Sequence, residues 1–272
     1  MSSSAKSFTY TLVASVVTFG LMSALVTRSS VTKGPGIASF AATEEPVKKK
    51  LPLKYIYLSF DDGPLHGSDR IDSIVKAERI KISVFLVGRQ LQVSKQLGEY
   101  VKMYEENPFV ESYNHSYSHA NSHYQSYYKD PVQVLNDIIK NEEALKLHFK
   151  IVRLPGRNIW RVGNRKRDDG NSGAAAADTL AAHGYTLYGW DLEWRHDPKT
   201  GKPTQTADSI ARAVESRLEA GGTFTKDHIV LLIHDEMFRE ELAGNELYQL
   251  IRKLRSHENY VFEHLRFYPT KP

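Results

Sequence analysis

The chain has 272 residues, of which 41% are hydrophobic, 25% charged and 11% aromatic, which excludes a disordered or collagen-like chain. The formal charge is +4, but residues 1–50 hold six Lys or Arg against two acids, leaving thirty of each sign in residues 51–272. A folded part balanced in this way is not that of a nucleic-acid binder. With no cysteine, disulfides, thiol nucleophiles and thiolate metal sites are excluded, and any metal must be held by His, Asp or Glu. All eleven histidines lie beyond residue 50.

Phe8 to Val26 is a run of 19 uncharged residues between Lys6 and Arg28, about the length that crosses a bilayer. Five hydroxyl side chains weaken it as a span, and the nearest small-residue cleavage site, Ser39-Phe40-Ala41, lies well downstream. An uncleaved anchor and a cleaved signal peptide both fit and both export the chain; a buried soluble helix is the third reading. Residues 1–27 are therefore expected to be a signal sequence or membrane anchor. Residues 28–50, with Lys33-Gly34-Pro35-Gly36 and Pro46-Val47-Lys48-Lys49-Lys50, read as a flexible linker. Residues 51–272 are expected to form the folded domain.

In that domain, apolar runs ended by turn residues predict strands at Tyr55–Phe60, Ser83–Val87, Phe109–Tyr113, Ile151–Leu154, Tyr185–Trp190, Ile229–Ile233 and Tyr260–Glu263. Between them, helical spacing predicts helices at Ser68–Arg79 and Gln90–Glu106, and one that starts at Pro131 and carries Val134, Leu135, Ile138, Ile139 and Leu145 on one side. Further helices are expected at Ala174–His183, around Ile210, Val214 and Leu218, and at Glu240–Ser256. About seven strand–helix alternations call for a parallel sheet with helical crossovers, either an open doubly wound sheet or a closed barrel. In both, chemistry sits at the C-terminal ends of the strands.

Unusual polar residues fall at those ends. Asp61 and Asp62 close the first strand, where neighbouring side chains diverge, so one carboxylate can hold a metal while the other acts as base. An acidic turn at Asp61-Asp62-Gly63-Pro64 is the plainer alternative. His115 and His119 are four apart, a spacing that puts two imidazoles on one face of a helical turn and grips zinc. With one carboxylate they leave positions open for water and a substrate oxygen. Arg153 ends the Ile151–Leu154 strand and Trp190-Asp191-Leu192-Glu193-Trp194 another, while His234 follows the apolar run Leu231-Leu232-Ile233.

Asp-Asp-Gly-Pro, His-Ser-x-x-His, Arg-x-Pro, Asp-x-Glu-Trp and Leu-x-His, in that order over residues 55–235, resemble the five motifs of the polysaccharide deacetylases, carbohydrate esterase family four. The resemblance implies an α/β fold, a distorted (β/α) barrel of about seven parallel strands. It also implies metal-dependent hydrolysis of N-acetyl groups from a glycan such as peptidoglycan, a chitin-like oligomer or an exopolysaccharide. Carried over by position, Asp61 resembles the catalytic base, Asp62, His115 and His119 the metal ligands, and Arg153 the arginine that orients the base. Glu193 falls where the family's acid supports the catalytic histidine, and His234 falls on that histidine. Pro155, Trp194 and Leu232 fall on substrate-binding positions, the last two lining the pocket for the acetyl methyl. The implied cofactor is a divalent metal, zinc above all, with cobalt and nickel suited to similar ligands.

The chain departs from the pattern twice. Gly156 follows Pro155 directly, where the family usually has an aromatic residue, and Glu193 stands where Asp is usual. The segment 157–171, basic around Trp160, reads either as a loop facing an anionic glycan with Trp160 stacked on a sugar, or as a solvated loop paired with Asp168 and Asp169. Tyr113, Tyr117, Tyr124, Tyr127 and Tyr128 form a sugar platform near the metal or merely pack. The expected partners are a polysaccharide or oligosaccharide and, through the N-terminus, a membrane. The expected location is exported, either anchored and facing the periplasm or cell exterior, or secreted. Rival readings are a metal-dependent hydrolase of small amides or imides and a catalytically silent glycan-binding module.

Overall fold

The computed structural model describes residues 50–239 and 244–271. The expected signal or anchor, nearly all of the linker and the first residues of the Glu240–Ser256 helix lie outside these. Among the described residues no helix is long and apolar enough to cross a membrane.

Among the described residues ten strands form one sheet: β1 (Lys54–Gly63), β2 (Ile82–Leu86), β3 (Val110–Asn114), β4 (Ile151–Val152), β5 (Trp160–Val162), β6 (Arg165–Arg167), β7 (Thr186–Leu187), β8 (Leu192–Glu193), β9 (His228–His234) and β10 (Tyr260–Phe262). Their order is β6-β5-β7-β4-β3-β2-β1-β9-β8, with β10 added beside the start of β1. All pairings are parallel except those of β5, which runs antiparallel to β6 and β7. The expected parallel α/β sheet is thus present. Its outermost strands, β6 and β8, are not paired with each other, so it is a curled half-barrel, consistent with a distorted barrel.

Alternation along β1 and β9 explains the curl. Ile56, Leu58 and Phe60 of β1, with Ile229, Leu231 and Ile233 of β9, pack outward in the core with the helices α1 (Ser68–Glu78), α6 (Ala207–Ala220) and α7 (Glu246–Arg255). Tyr57 and Val230 face the other way and meet Phe85, Tyr113, Ile151 and Trp160 from four further strands in one inner cluster. A sheet whose strands converge on common side chains must bend around them. A third cluster joins α4 (Pro131–Leu145) to α5 (Ala174–Ala182) over β4 and β7.

Several elements differ from the sequence reading, the unpredicted short strand β8 among them. The Gln90–Glu106 helix is broken into a 3-10 turn at Gly88–Gln92 and α2 (Lys95–Glu106), because the Ser94 hydroxyl accepts the Leu97 N–H as an N-cap. The basic segment is not a sugar-facing loop but the β5–β6 hairpin. Trp160 is fully buried, stacked on Phe224 with centroids 4.3 Å apart. Arg161 pairs with Asp168 and Asp178, Arg165 donates to Thr225 Oγ1 and Pro269 O, and Arg167 lies over Trp160. The hairpin thereby closes one end of the inner core and engages its three arginines. Trp160→Ala is therefore expected to lower the unfolding free energy by about 3–5 kcal/mol in urea denaturation. A Trp160 serving only as a sugar platform would leave it within about 0.5 kcal/mol.

Candidate metal centre and active site

The parallel register of β1 and β9 places Asp61 beside His234, and Asp235 N donates to Asp61 O at 2.9 Å. Two residues apart on the inner face, Ser59 and Asp61 both receive Nη1 of Arg153, at 2.9 and 2.8 Å. Arg153, just beyond β4, is fully buried. Its Nε donates to Tyr188 O and Nη2 to Gly189 O, and its guanidinium lies 4.3 Å from the centroid of the Phe85 ring. Every branch of the fork is engaged, as a buried guanidinium requires. Oδ1 of Asp61 is held by Arg153, while Oδ2 lies 3.8 Å from His115 Nε2.

Asp62, His115 and His119 come together: Asp62 Oδ1 is 3.3 Å from His115 Nε2 and 2.9 Å from His119 Nε2. One ligand atom from each lies within 4.8 Å of the others. Nδ1 of His115 is 2.9 Å from the Arg153 carbonyl, an acceptor, so Nδ1 carries a proton, and Nε2, on the Asp62 side, is the atom that would ligate a cation once deprotonated. That donor set, two imidazole nitrogens and a carboxylate with the tautomer of one fixed from behind, fits a divalent cation.

The histidines are not on a helical turn, which corrects the spacing argument. His115 leaves the end of β3, and Ser116, His119, Ala120, Asn121 and Ser122 have φ between 47° and 66°. Such left-handed backbone is unfavourable for these residue types and is held from outside. Asp137 on α4 accepts from Ser118 N, Ser118 Oγ and Tyr127 OH, and its own carbonyl accepts from Tyr117 N. Asn141, also on α4, donates to Leu86 O and to Asn114 Oδ1. Asp62 is left-handed too, at φ 70°. Behind it Asp235, fully buried, accepts from Leu65 N, Ser68 Oγ and Tyr104 OH. Gly67 packs against this segment so closely that a Cβ would stand 2.2 Å from the carbonyl oxygens of Asp235 and Met237.

Desolvation pushes Asp62 upward, but the hydrogen bonds and positive charge of His115 and His119 outweigh it and hold its carboxyl well below the usual range. Burial pulls His115 down, yet the carboxylates of Asp61 and Asp62 more than compensate, so it stands above an ordinary histidine. Burial pushes Asp235 up to about 6, against the pull of its three donors.

The remaining predicted residues are placed as follows. Glu193 on β8 pairs in register with Leu232, one step before His234. No hydrogen bond joins Glu193 to His234, whose Nδ1 is buried without a partner among the described residues. Leu232 is buried on the inner side of β9, between Val230 and His234. Trp194 is fully buried in the outer core against Phe238, with its indole N–H donated to Gln205 O. Pro155 accepts from Tyr128 OH through its carbonyl. Sequence reasoning missed His196, whose ring centroid is 4.6 Å from that of His234, and the supports Ser59, Asp137, Asn141 and Asp235. His196 could have been found as a histidine three residues after Glu193, beyond a strand end. Asp137 and Asn141 carry no signal on an amphipathic helix.

The polysaccharide deacetylase family model matches residues 48–169, which include Asp61, Asp62, His115, His119, Arg153 and Pro155. Over that segment the chain is similar in sequence to the polysaccharide deacetylases. Glu193 and His234 lie beyond it and are placed by the sheet register. Among solved structures, a family 4 carbohydrate esterase from Streptomyces lividans in complex with acetate is 19% identical, with TM-score 0.56, covering 78% of this chain and 93% of that one. A Streptococcus mutans CE4 esterase is 18% identical, with TM-score 0.57, covering 77% and 86%. The catalytic domain of a peptidoglycan N-acetylglucosamine deacetylase from Eubacterium rectale is 19% identical, with TM-score 0.56, covering 82% and 93%. At these identities the likeness is one of fold. The search of curated proteins found no match.

A cation held at this candidate site would displace a proton from His115, whose pKa is raised, so cation affinity is expected to weaken as pH falls. Calorimetric titration at about pH 8 should give binding at least tenfold tighter than at about pH 6, with a buffer-dependent heat of proton release. Affinity independent of pH would contradict this ligand set.

Proposed function

We propose that the chain is an exported, metal-dependent N-deacetylase of a glycan, releasing acetate. One observation carries the reading: a carboxylate locked by a buried arginine stands between a three-residue cation site and a histidine, all at one end of the sheet. The uncharged run Phe8–Val26 supports export. The Eubacterium rectale likeness supports a cell-wall glycan, with chitin-like oligomers and exopolysaccharides as alternatives.

Asp62, His115 and His119 would hold the cation, zinc or a similar ion. When bound, it supplies Lewis acidity toward the acetyl carbonyl and toward water. With Oδ1 occupied by Arg153, Asp61 presents Oδ2 on the cation side, where it accepts the proton of the attacking water. His234, in register with Asp61, delivers a proton to the departing amine nitrogen as the C–N bond breaks. The products are acetate and a free amino sugar, which account for every atom of the amide and the water. Glu193 would orient His234 from the neighbouring strand. Leu232, one step inside His234, would floor the methyl pocket, with Trp194 backing it from beneath.

Asp61→Asn and His234→Ala should each lower kcat/KM for acetate release from N-acetylglucosamine oligomers by about 10²–10⁴-fold while leaving zinc affinity within a few-fold. Full activity in either variant would overturn these roles.

A further inference from the structure

We propose that Tyr124 is the sugar-facing wall of this site, standing where residue 156 contributes no side chain. The inference rests on the glycan deacetylase reading and adds a substrate-positioning residue to it. Tyr124 opens the short helix α3 (Tyr124–Tyr127), on a different segment from Gly156, yet the two meet. A Cβ built on Gly156 would stand 3.2–3.4 Å from three atoms of the Tyr124 ring. Gly156 itself has φ +63°, a conformation that suits glycine. The ring thus fills the space that a side chain at 156 would take, and the two are alternatives for one place.

That place adjoins the cation site. The Tyr124 ring meets His119 edge-on, with centroids 5.9 Å apart and planes at 84°. Arg157 braces it from another side, 5.7 Å from the ring centroid and 5.0 Å from that of Tyr128. Its neighbours spend their hydroxyls inside the protein: Tyr113 on Glu111, Tyr127 on Asp137 and Tyr128 on Pro155 O. Tyr124 is half-buried, and its hydroxyl has no partner among the described residues. A braced ring with a free donor, one residue from the cation site, suits a pyranose, which offers both C–H faces and hydroxyl acceptors.

The test is steady-state kinetics on a soluble N-acetylglucosamine oligomer with the full zinc-loaded chain, paired with zinc titration. Tyr124→Ala should raise KM about tenfold or more with kcat within about threefold, and Tyr124→Phe should raise KM by roughly threefold to tenfold. Zinc affinity should be unchanged in both. An unchanged KM, or activity that falls in step with zinc affinity, would overturn the proposal and leave Tyr124 as a buttress for His119. If the wild-type chain releases no acetate, the deacetylase reading fails separately. The wall is then judged by calorimetric binding of the same oligomer: weaker binding by Tyr124→Ala upholds it, and equal or absent binding overturns it.

Discussion

A guanidinium fully removed from water costs several kcal/mol unless its donors are met, and at Arg153 they are met by Asp61, Ser59 and the carbonyls of Tyr188 and Gly189. Those partners come from β1 and from the segment following β7, while Arg153 itself follows β4, so one buried charge ties three strand ends together. The carbonyl of the same residue fixes the His115 tautomer. Asp61, the proposed base, and His115, of the candidate cation site, are therefore both set by a single residue, the first through its side chain and the second through its main chain. Losing either partner of the Arg153–Asp61 pair would strand a charge in the interior, so both positions are constrained by folding as well as by chemistry.

The loop that carries His115 and His119 shows the complementary arrangement. Residues 119–122 run left-handed without glycine, and the cost is offset by Asp137 and Asn141 on α4, which clamp the loop at both ends. Asp235 does the same for the segment after Asp62. The three candidate ligands sit on left-handed or irregular backbone because a regular helix or strand would not bring Asp62, His115 and His119 to a common point. The rigid elements beneath supply the precision that such a site needs.

Much of this was legible from pattern alone. Apolar runs mark most of the parallel strands and the polar residues at their ends mark the site, whereas the face that carries Asp61 and His234 emerges only from the strand pairing. Short strands escaped: β5, β6 and β8 span two or three residues each, too few for a period to register, and the basic composition of β5–β6 suggested solvent where the fold supplies partners for its arginines. His115 and His119 were found for a partly wrong reason, since a spacing of four also spans an irregular loop. Trp160 and Tyr124 looked equivalent as aromatic residues near polar segments. Only the three-dimensional packing separates a ring sealed in the inner core from one left at the site's edge.

The most direct test of the account is acetate release followed by proton NMR, using the full chain stripped of metal by chelation and then reloaded with zinc or cobalt. Supplied with N-acetylglucosamine oligomers or peptidoglycan, the stripped protein should release no acetate and the reloaded protein should release it steadily, with Asp62→Ala remaining silent under both conditions. Acetate release that is indifferent to metal, or metal uptake at full affinity by Asp62→Ala, would contradict the assignment of Asp62, His115 and His119 as the cation site.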